Sequence, residues 1–589
     1  MAKMSFQSSR PKNTRGTLVR TVKYLASYKY LLFLAIGLSF IGNVLALQGP
    51  RYAGKAINEA AAGAGLVNFD AVFYYAERML FVYVISGLLT IIINIIMTSL
   101  SKWVARKMRR DVFDKLMRLQ VGYFHSNSTG DIISRVSYDV DVVSTCIATD
   151  IAQILTSLVT VIGSFIMMLY LSPLLSIVVI VTLPVSVVYI AYMRKKLLPK
   201  YARRSKSYGS MNGFVEEMFS GEKTIQAYAY EAVACDHFDA VNREAADAYY
   251  DSEYYSCTIG PTNAFFNNLS LALIAMLGTI FFMNGMATLD AISSFVLYSR
   301  KFSGPINEIA NIINELFSAL SAAERIFGLL DAEEESADTS DMSVLTDVKG
   351  AVELNHVSFG YIPGKNVLHD LSLIAEPGKT VAIVGPTGAG KTTIINLLMR
   401  FYDVNDGAIL VDGGNIQGYT RSSLRSAYAM VLQDTWVFSG TIFENIAYGK
   451  PDATMDEVVK AAKSARIHSF IMQLPDGYNT LISEDGGNIS KGQKQLLTIA
   501  RAMLYDSRML ILDEATSNVD TSTEQEVQKA MRELMVGKTC FVIAHRLSTV
   551  QNADLILVVD HGNVVEQGTY EELMLQKGFY YKLYAAQFE

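Results

Sequence analysis

Six apolar runs crowd the first half of the chain, at Tyr30–Leu47, Met79–Leu100, Ile151–Leu171, Leu174–Met193, Ala264–Met283 and Ala291–Leu316. In a lipid interior each run must satisfy its own backbone N–H and C=O groups, which an α-helix does and an irregular segment does not. The reading is therefore six membrane-spanning helices. Composition agrees: 51% of residues are hydrophobic and 18% charged, the balance of a membrane protein. A net charge of −6 gives no reason to expect nucleic acid as a partner. The four cysteines, Cys146, Cys235, Cys257 and Cys540, are too scattered for a zinc site or a disulfide framework.

Charge sets the orientation. Lys3, Arg10, Lys12, Arg15, Arg20, Lys23 and Lys29 precede the first run without an acidic residue among them. That run is too long for a signal-peptide core and lacks a small-residue cleavage pattern, so it reads as an uncleaved span with its N-terminus in the cytoplasm. Thr17 to Ser27, just before it, reads as a short interfacial helix. The connections after the second and fourth runs are long and basic near the membrane, with Lys102, Arg106, Lys107, Arg109 and Arg110 in one and Arg194, Lys195, Lys196, Lys200, Arg203 and Arg204 in the other. Both are thus cytoplasmic. Their helical period persists, as in Val104, Met108, Val112, Leu116 and Leu119, so each predicts a helical hairpin reaching about 37 Å beyond the bilayer, at ~1.5 Å per residue. The tips fall near Tyr123 to Asp139 and Met211 to Tyr230, and turn formers from Phe124 to Asp131 suit the cap of a short helix across the first. Asn43, Asn94, Ser164 and Ser176 are expected to make helix-packing hydrogen bonds. Met167, Met168, Met276 and Met283 are expected to fill core, with an adaptable apolar cavity as the other use of methionine.

The second half changes character. The acidic, small-residue stretch from Asp331 to Asp347 has no period and reads as a linker, which divides the chain into a transmembrane domain (1–330), a linker (331–349) and a nucleotide-binding domain (350–589). From Gly350 short strands alternate with helices. The apolar run Thr380 to Val384 leads into Gly385-Pro386-Thr387-Gly388-Ala389-Gly390-Lys391-Thr392-Thr393, which opens the helical stretch Ile394 to Arg400. This is G-x-x-x-x-G-K-[ST] in the strand-to-helix context the motif requires. Its glycines let backbone N–H groups turn inward around phosphates at a helix N-terminus, Lys391 reaches the β- and γ-phosphates, and Thr392 offers a hydroxyl to Mg²⁺. Met509 to Glu514 is an apolar strand ending in two carboxylates. Asp513 suits a Mg²⁺ contact through water, and Glu514 suits a base for the attacking water. Tyr361 is an aromatic placed to stack on adenine.

Together these motifs resemble the ATP-binding cassette (ABC) family, specifically its exporters with six spans fused ahead of one cassette, from the basic N-terminus to Leu583. The resemblance implies an α-helical membrane domain of six long helices with cytoplasmic extensions, followed by an α/β P-loop cassette, in the cell membrane with the N-terminus and cassette in the cytoplasm. It implies ATP and Mg²⁺, with Tyr361 and residues Gly385 to Thr393 on the nucleotide and Thr392, Gln433 and Asp513 toward the metal. Gln433 takes the place of the Q-loop glutamine, Asp520 in Ser517-Asn518-Val519-Asp520 belongs to the D-loop, and His545 is the switch histidine. Glu514, His545 and Gln433 carry catalysis. Ser483-Glu484-Asp485-Gly486 looks like the exporter loop that touches a partner's hairpin.

In this family each ATP is held between two cassettes, so the resemblance also implies dimerisation with a second half-transporter. Ser490, Gly492 and Gln493 belong to the signature that reads the partner's ATP, but residue 491, glycine in the usual signature, is lysine here. Lysine brings bulk and restricts the backbone where glycine is permissive. With the hydrolytic residues otherwise intact, the chain resembles the consensus half of heterodimeric multidrug exporters. The expected activity is ATP-driven efflux of an amphipathic or apolar substrate such as a drug, lipid or small peptide; the alternative is a nucleotide-gated channel or regulator that keeps the fold without pumping.

Overall fold

A computed structural model of the chain describes residues 13–61, 63, 67–432, 435–483, 487–513, 521–543 and 550–588. They form two compact units, Met1–Arg118 with Asn127–Ala332, and Leu119–Ser126 with Glu333–Glu589.

In the first unit every apolar run lies in a helix. α1 (Thr14–Ala26) is the expected short basic helix, and the side chain of its N-cap Asn13 accepts from the Gly16 amide at 2.9 Å. α2 (Lys29–Ala46) and α3 (Gly49–Ala60) together make the first crossing, interrupted at Leu47 and Gln48, where Pro50 withholds an N–H. The crossing thus runs well past Leu47, where hydropathy alone ended it. Next come α4 (Phe69–Leu116), α5 (Val121–Ser126), α6 (Thr129–Ser134), α7 (Val140–Thr145) and α8 (Ile151–Leu171). π-helical turns at Arg135–Asp139 and Cys146–Asp150 carry the helical path from α6 into α8 without a break. α9 (Pro173–Ser220), α10 (Glu222–Ala227), α11 (Glu231–Met283) and α12 (Leu289–Leu330) complete the unit.

α4, α9 and α11 have 48, 48 and 53 residues. At ~1.5 Å per residue they measure about 72 to 80 Å, more than twice a hydrocarbon core of ~30 Å, so the cytoplasmic extensions are as expected. Five crossings are long and apolar enough to span a bilayer. α12, 42 residues long, is the sixth, and it is less apolar because it carries Arg300, Lys301 and Glu308.

The contacts between α9 and α11 change type along their length. Thr182 donates to Ser270 at 3.0 Å, Ser186 to Asn263 at 2.8 Å and Tyr189 to Thr262 at 3.1 Å. Farther along the same pair, Lys200 meets Asp251 at 2.6 Å and Arg204 meets Glu253 at 2.7 Å. Neutral hydroxyl and amide pairs suit lipid depth and average about 0.6 kcal/mol each, whereas ion pairs suit water, so the cytoplasmic boundary falls between the two sets. Of the polar residues expected to pack helices, Asn43 does so, accepting from Thr160 at 3.1 Å. Ser176 instead donates within its own helix to Ser172 O at 2.9 Å, Ser164 is buried with its hydroxyl unpaired, and Asn94 is exposed. Met168 is core filling, packed with Leu47, Ile274, Phe295 and Tyr298.

The second unit is built on two sheets. One has four strands, ordered Leu368–Ala375, Val352–Phe359, Asp406–Val411, Gly414–Asn415. The other has six, ordered Asn563–Gly568, Leu555–Asp560, Thr380–Val384, Thr539–Ile543, Met509–Asp513, Tyr428–Val431. All of the second sheet is parallel except its first strand. Parallel strands buried on both faces need continuous apolar sequence, which Met509–Asp513 and Thr539–Ile543 supply. Ile383, Ile511 and Phe541 are at most 2% exposed, each worth about 1.5–3 kcal/mol of burial.

The segment read as a linker is docked on this unit. Arg421, 6% exposed, holds Asp338 through its backbone N–H at 3.1 Å and Ser336 O through its guanidinium at 2.6 Å. Arg425 pairs with Glu335. The missing period is thus that of an irregular strap fastened by ion pairs.

Candidate active site

The strand Thr380–Val384 lies inside the parallel sheet, and the loop after it leads to the helix Lys391–Leu398. Two glycines are required by what surrounds them. A Cβ on Gly385 would lie 2.0 Å from Val559 O, and Gly390, at φ +106°, is the left-handed N-cap of the helix. Lys391 is 8% exposed and folds back along the loop, donating to Gly385 O at 2.8 Å and Pro386 O at 3.0 Å. Burial pushes its pKa down, and Asp513 acts in the opposite sense, which places the two within electrostatic reach. The adjacent threonines differ: Thr392 is exposed, while Thr393 is buried with its hydroxyl 3.1 Å from that of Tyr361. Asn396 also donates to the Tyr361 hydroxyl, at 3.3 Å. The Tyr361 ring is therefore held at its far end and left 45% exposed, as an aromatic stacking surface requires.

Asp513 ends the strand Met509–Asp513, in register with Ile543, which itself pairs with Ile383 of the strand before the loop. The strands ending at Val384, Val431, Asp513 and Ile543 run the same way, so all four deliver the chain to one edge of the sheet, the edge at which open α/β sheets bind ligands. Gln433, Glu514, Asp520 and His545 lie outside the described residues, as does Glu484–Gly486. Leu432, Asp513 and Ile543, the described residues just before three of them, all stand at this edge.

Ser490 is the N-cap of the helix Lys491–Tyr505, accepting from the Gln493 amide at 3.2 Å while Gln493 Oε1 accepts from Ser490 N at 2.8 Å. Gly492 is buried and Lys491 exposed. Lys491 occupies the first helical position without a positive φ, so the expected backbone restriction does not arise; bulk and charge are what the substitution introduces.

One aromatic escaped sequence reasoning. Tyr402 packs edge-on against Tyr361 with centroids 5.0 Å apart, and its hydroxyl lies 2.9 Å from Nδ1 of His125 in α5. A Cβ on Gly122, also in α5, would stand 3.1 Å from the Tyr402 ring. The tip of the first hairpin, which belongs to this unit, thus reaches the exposed tyrosine through a single side chain.

Residues 32–306 match the ABC transporter transmembrane region and residues 368–517 the ABC transporter family proper. The chain belongs to the ABC transporter family. This ABC transporter is 41% identical over 581 residues to an uncharacterised ABC transporter ATP-binding protein, YfiC, of Bacillus subtilis, covering 99% of this chain and 96% of that one. It is 44% identical over 477 residues to a fatty acid ABC transporter ATP-binding/permease protein of Mycobacterium bovis, covering 81% of this chain and 75% of the other. Among solved structures, a bacterial Atm1-family ABC exporter with ATP bound superposes with a TM-score of 0.76 at 28% identity, over 96% of this chain and 99% of that one. The ABC transporter described here is accordingly a multi-pass inner-membrane exporter of the lipid or multidrug type, with an ATPase coupled to transport and its cassette in the cytoplasm.

Proposed function

We propose that this chain is one half of a dimeric exporter for lipid-like amphiphiles and that it supplies the competent ATP site. Tyr361 stacks on adenine, and the N–H groups of Gly385 to Thr393 receive the phosphates at the N-terminus of the helix Lys391–Leu398. Lys391 turns from the carbonyls of Gly385 and Pro386 to the β- and γ-phosphates. Thr392, with Gln433 and Asp513, faces the metal position, where Mg²⁺ when bound offsets phosphate charge. The fit rests on the exposed Thr392 beside a cradle that has no room for a Cβ at Gly385. Glu514 takes the proton of the attacking water and His545 contacts the γ-phosphate. Asp520 lies at the cassette interface.

The observation that carries this reading is the approach of Lys391 to Asp513 across the ends of parallel strands. Preference for a lipid-like substrate draws on the likeness to the fatty acid transporter. ATP-dependent uphill accumulation of fluorescent amphiphiles in inside-out vesicles tests it. Accumulation that stops when ATP is replaced by a non-hydrolysable analogue is expected; ATP-gated equilibration without accumulation would instead identify a channel.

The partner is a different half-transporter. Lys491 places a cation at a helix N-terminus, where like charge costs about 0.3–1 kcal/mol, and puts its side chain where a signature glycine leaves the facing ATP unobstructed. The site using Ser490, Gly492 and Gln493 therefore binds ATP and turns it over slowly. Expressed alone, the chain should hydrolyse ATP poorly. A stable homodimer with robust hydrolysis, indifferent to Lys491→Gly, would overturn the assignment.

A further inference from the structure

Charge is scarce in the crossings of this protein and, where it occurs deep in them, of one sign. Counting ~1.5 Å per residue from Leu289, the outer end of α12, Arg300 and Lys301 lie about 17 Å in, near the middle of a hydrocarbon layer ~30 Å thick. Arg51 stands about 14 Å below Ala60, the outer end of α3, by the same count. The two helices run side by side at this level. A Cβ on Gly54 would meet Ser294 Oγ at 2.0 Å, the Tyr298 hydroxyl donates to Leu47 O at 2.5 Å, and Lys301 Nζ donates to Ala46 O at 2.6 Å. Arg51 follows Leu47 by four residues and so lies on the face of the crossing that Tyr298 meets.

Lys301 has a structural task. Pro50 cannot donate the helical bond that the Ala46 carbonyl would otherwise accept, and Lys301 provides the donor instead, with its ammonium 5.3 Å from the centre of the Tyr83 ring. Arg51 and Arg300 have no such employment. Neither pairs with a carboxylate among the described residues, and Arg300 is exposed. Along α12 the nearest acidic residues are Asp290, about 15 Å outward, and Glu308, about 12 Å inward. Charges at this depth are costly and persist where something meets them. The break between α2 and α3 adds a second feature, since the N-terminus of α3 at Gly49 directs positive partial charge at the same level.

Building on the exporter reading above and naming its substrate class, we propose that Arg300 and Arg51, steadied by Lys301, form a headgroup site for an anionic amphiphile. A carboxylate or phosphate lies against the guanidiniums, and the acyl chain follows the apolar helix faces. The expectation of an amphipathic or apolar substrate is thereby narrowed to one bearing negative charge.

The test measures binding of radiolabelled oleate, lysophosphatidylglycerol and dodecyltrimethylammonium to the assembled transporter in phosphatidylcholine nanodiscs. At least one anion should bind and the cation should not. Arg300→Gln should weaken anion binding about tenfold, the loss of a charge-assisted hydrogen bond, while Arg300→Lys retains most of it and thereby separates charge from folding. Arg51→Gln should weaken it in the same direction. Oleate alone binding assigns the site to carboxylates, and lysophosphatidylglycerol alone to phosphates. A cation that binds as well as the anions, no binding of either anion, or anion affinity unmoved by both Gln variants, overturns the proposal. The exporter reading fails separately: Arg300-dependent binding without ATP-driven accumulation of any amphiphile refutes pumping and leaves the site, whereas accumulation blind to headgroup charge refutes the site and leaves the pump.

Discussion

ATP turnover by the assembled transporter is expected to fall by about two to four orders of magnitude in Glu514→Gln, the usual contribution of a positioned general base, with ATP binding retained. The argument starts from the strand Met509–Asp513, buried in the parallel sheet and ending two strands from the phosphate loop. Its in-register neighbours fix the height at which the chain leaves the sheet, so residue 514 follows directly on an aspartate already within electrostatic reach of Lys391. Glutamine keeps the size and hydrogen-bonding capacity of the side chain and removes only its ability to accept a proton. Binding depends on Tyr361, Lys391 and the loop amides, which the substitution leaves alone. Single-turnover hydrolysis with radiolabelled ATP, alongside equilibrium binding, separates the two quantities. Hydrolysis at the normal rate would remove Glu514 from its role, and loss of binding would make it a phosphate-positioning residue instead.

What could be read from sequence follows from how local the physics is. Lipid imposes its demand on every backbone group of a crossing, so six helices and their orientation were legible from apolar runs and flanking Lys and Arg. The phosphate loop was legible because Gly385, Gly390 and Lys391 each answer a constraint within a few residues. Long-range partners were not. The acidic stretch from Asp331 to Asp347 looks like a solvated linker until Arg421 and Arg425 are found holding Asp338 and Glu335, more than eighty residues away. Tyr402 carries no signal in its neighbourhood; only the fold brings it between Tyr361 and His125. The first crossing was ended at Leu47 because Gly49-Pro50-Arg51 reads as a helix stop. The helix resumes because Lys301 and Tyr298, distant in sequence, satisfy the carbonyls that the break exposes. Arg300 and Lys301 were visible inside an apolar run, and their depth was the available clue. For Lys491 the residue type was right and the reason incomplete: a helical position needs no glycine, so charge and bulk remain.

Lys391→Ala should weaken ATP binding by about tenfold to a hundredfold, on ~1.5–3 kcal/mol for a hydrogen bond to a charged group. It should also loosen the loop itself. In the nucleotide-free protein the ammonium bridges the carbonyls of Gly385 and Pro386, and alanine leaves both without that donor, so the cassette should unfold at a lower temperature as well. Arginine is not expected to rescue, since the side chain sits 8% exposed in space shaped for a narrow stem. The pH dependence gives an independent check. Burial lowers the Lys391 pKa, so in the free protein the ammonium is lost at lower pH than on an exposed lysine. Bound phosphate favours the charged form and pulls the pKa back up, so between the two values binding takes up a proton and ATP affinity declines as pH rises. In Lys391→Ala that alkaline decline should vanish together with the affinity. Titration calorimetry in two buffers of different ionisation enthalpy measures the proton uptake directly. An alanine variant that binds ATP normally, or that keeps the alkaline decline, would place the phosphate contact elsewhere in the loop.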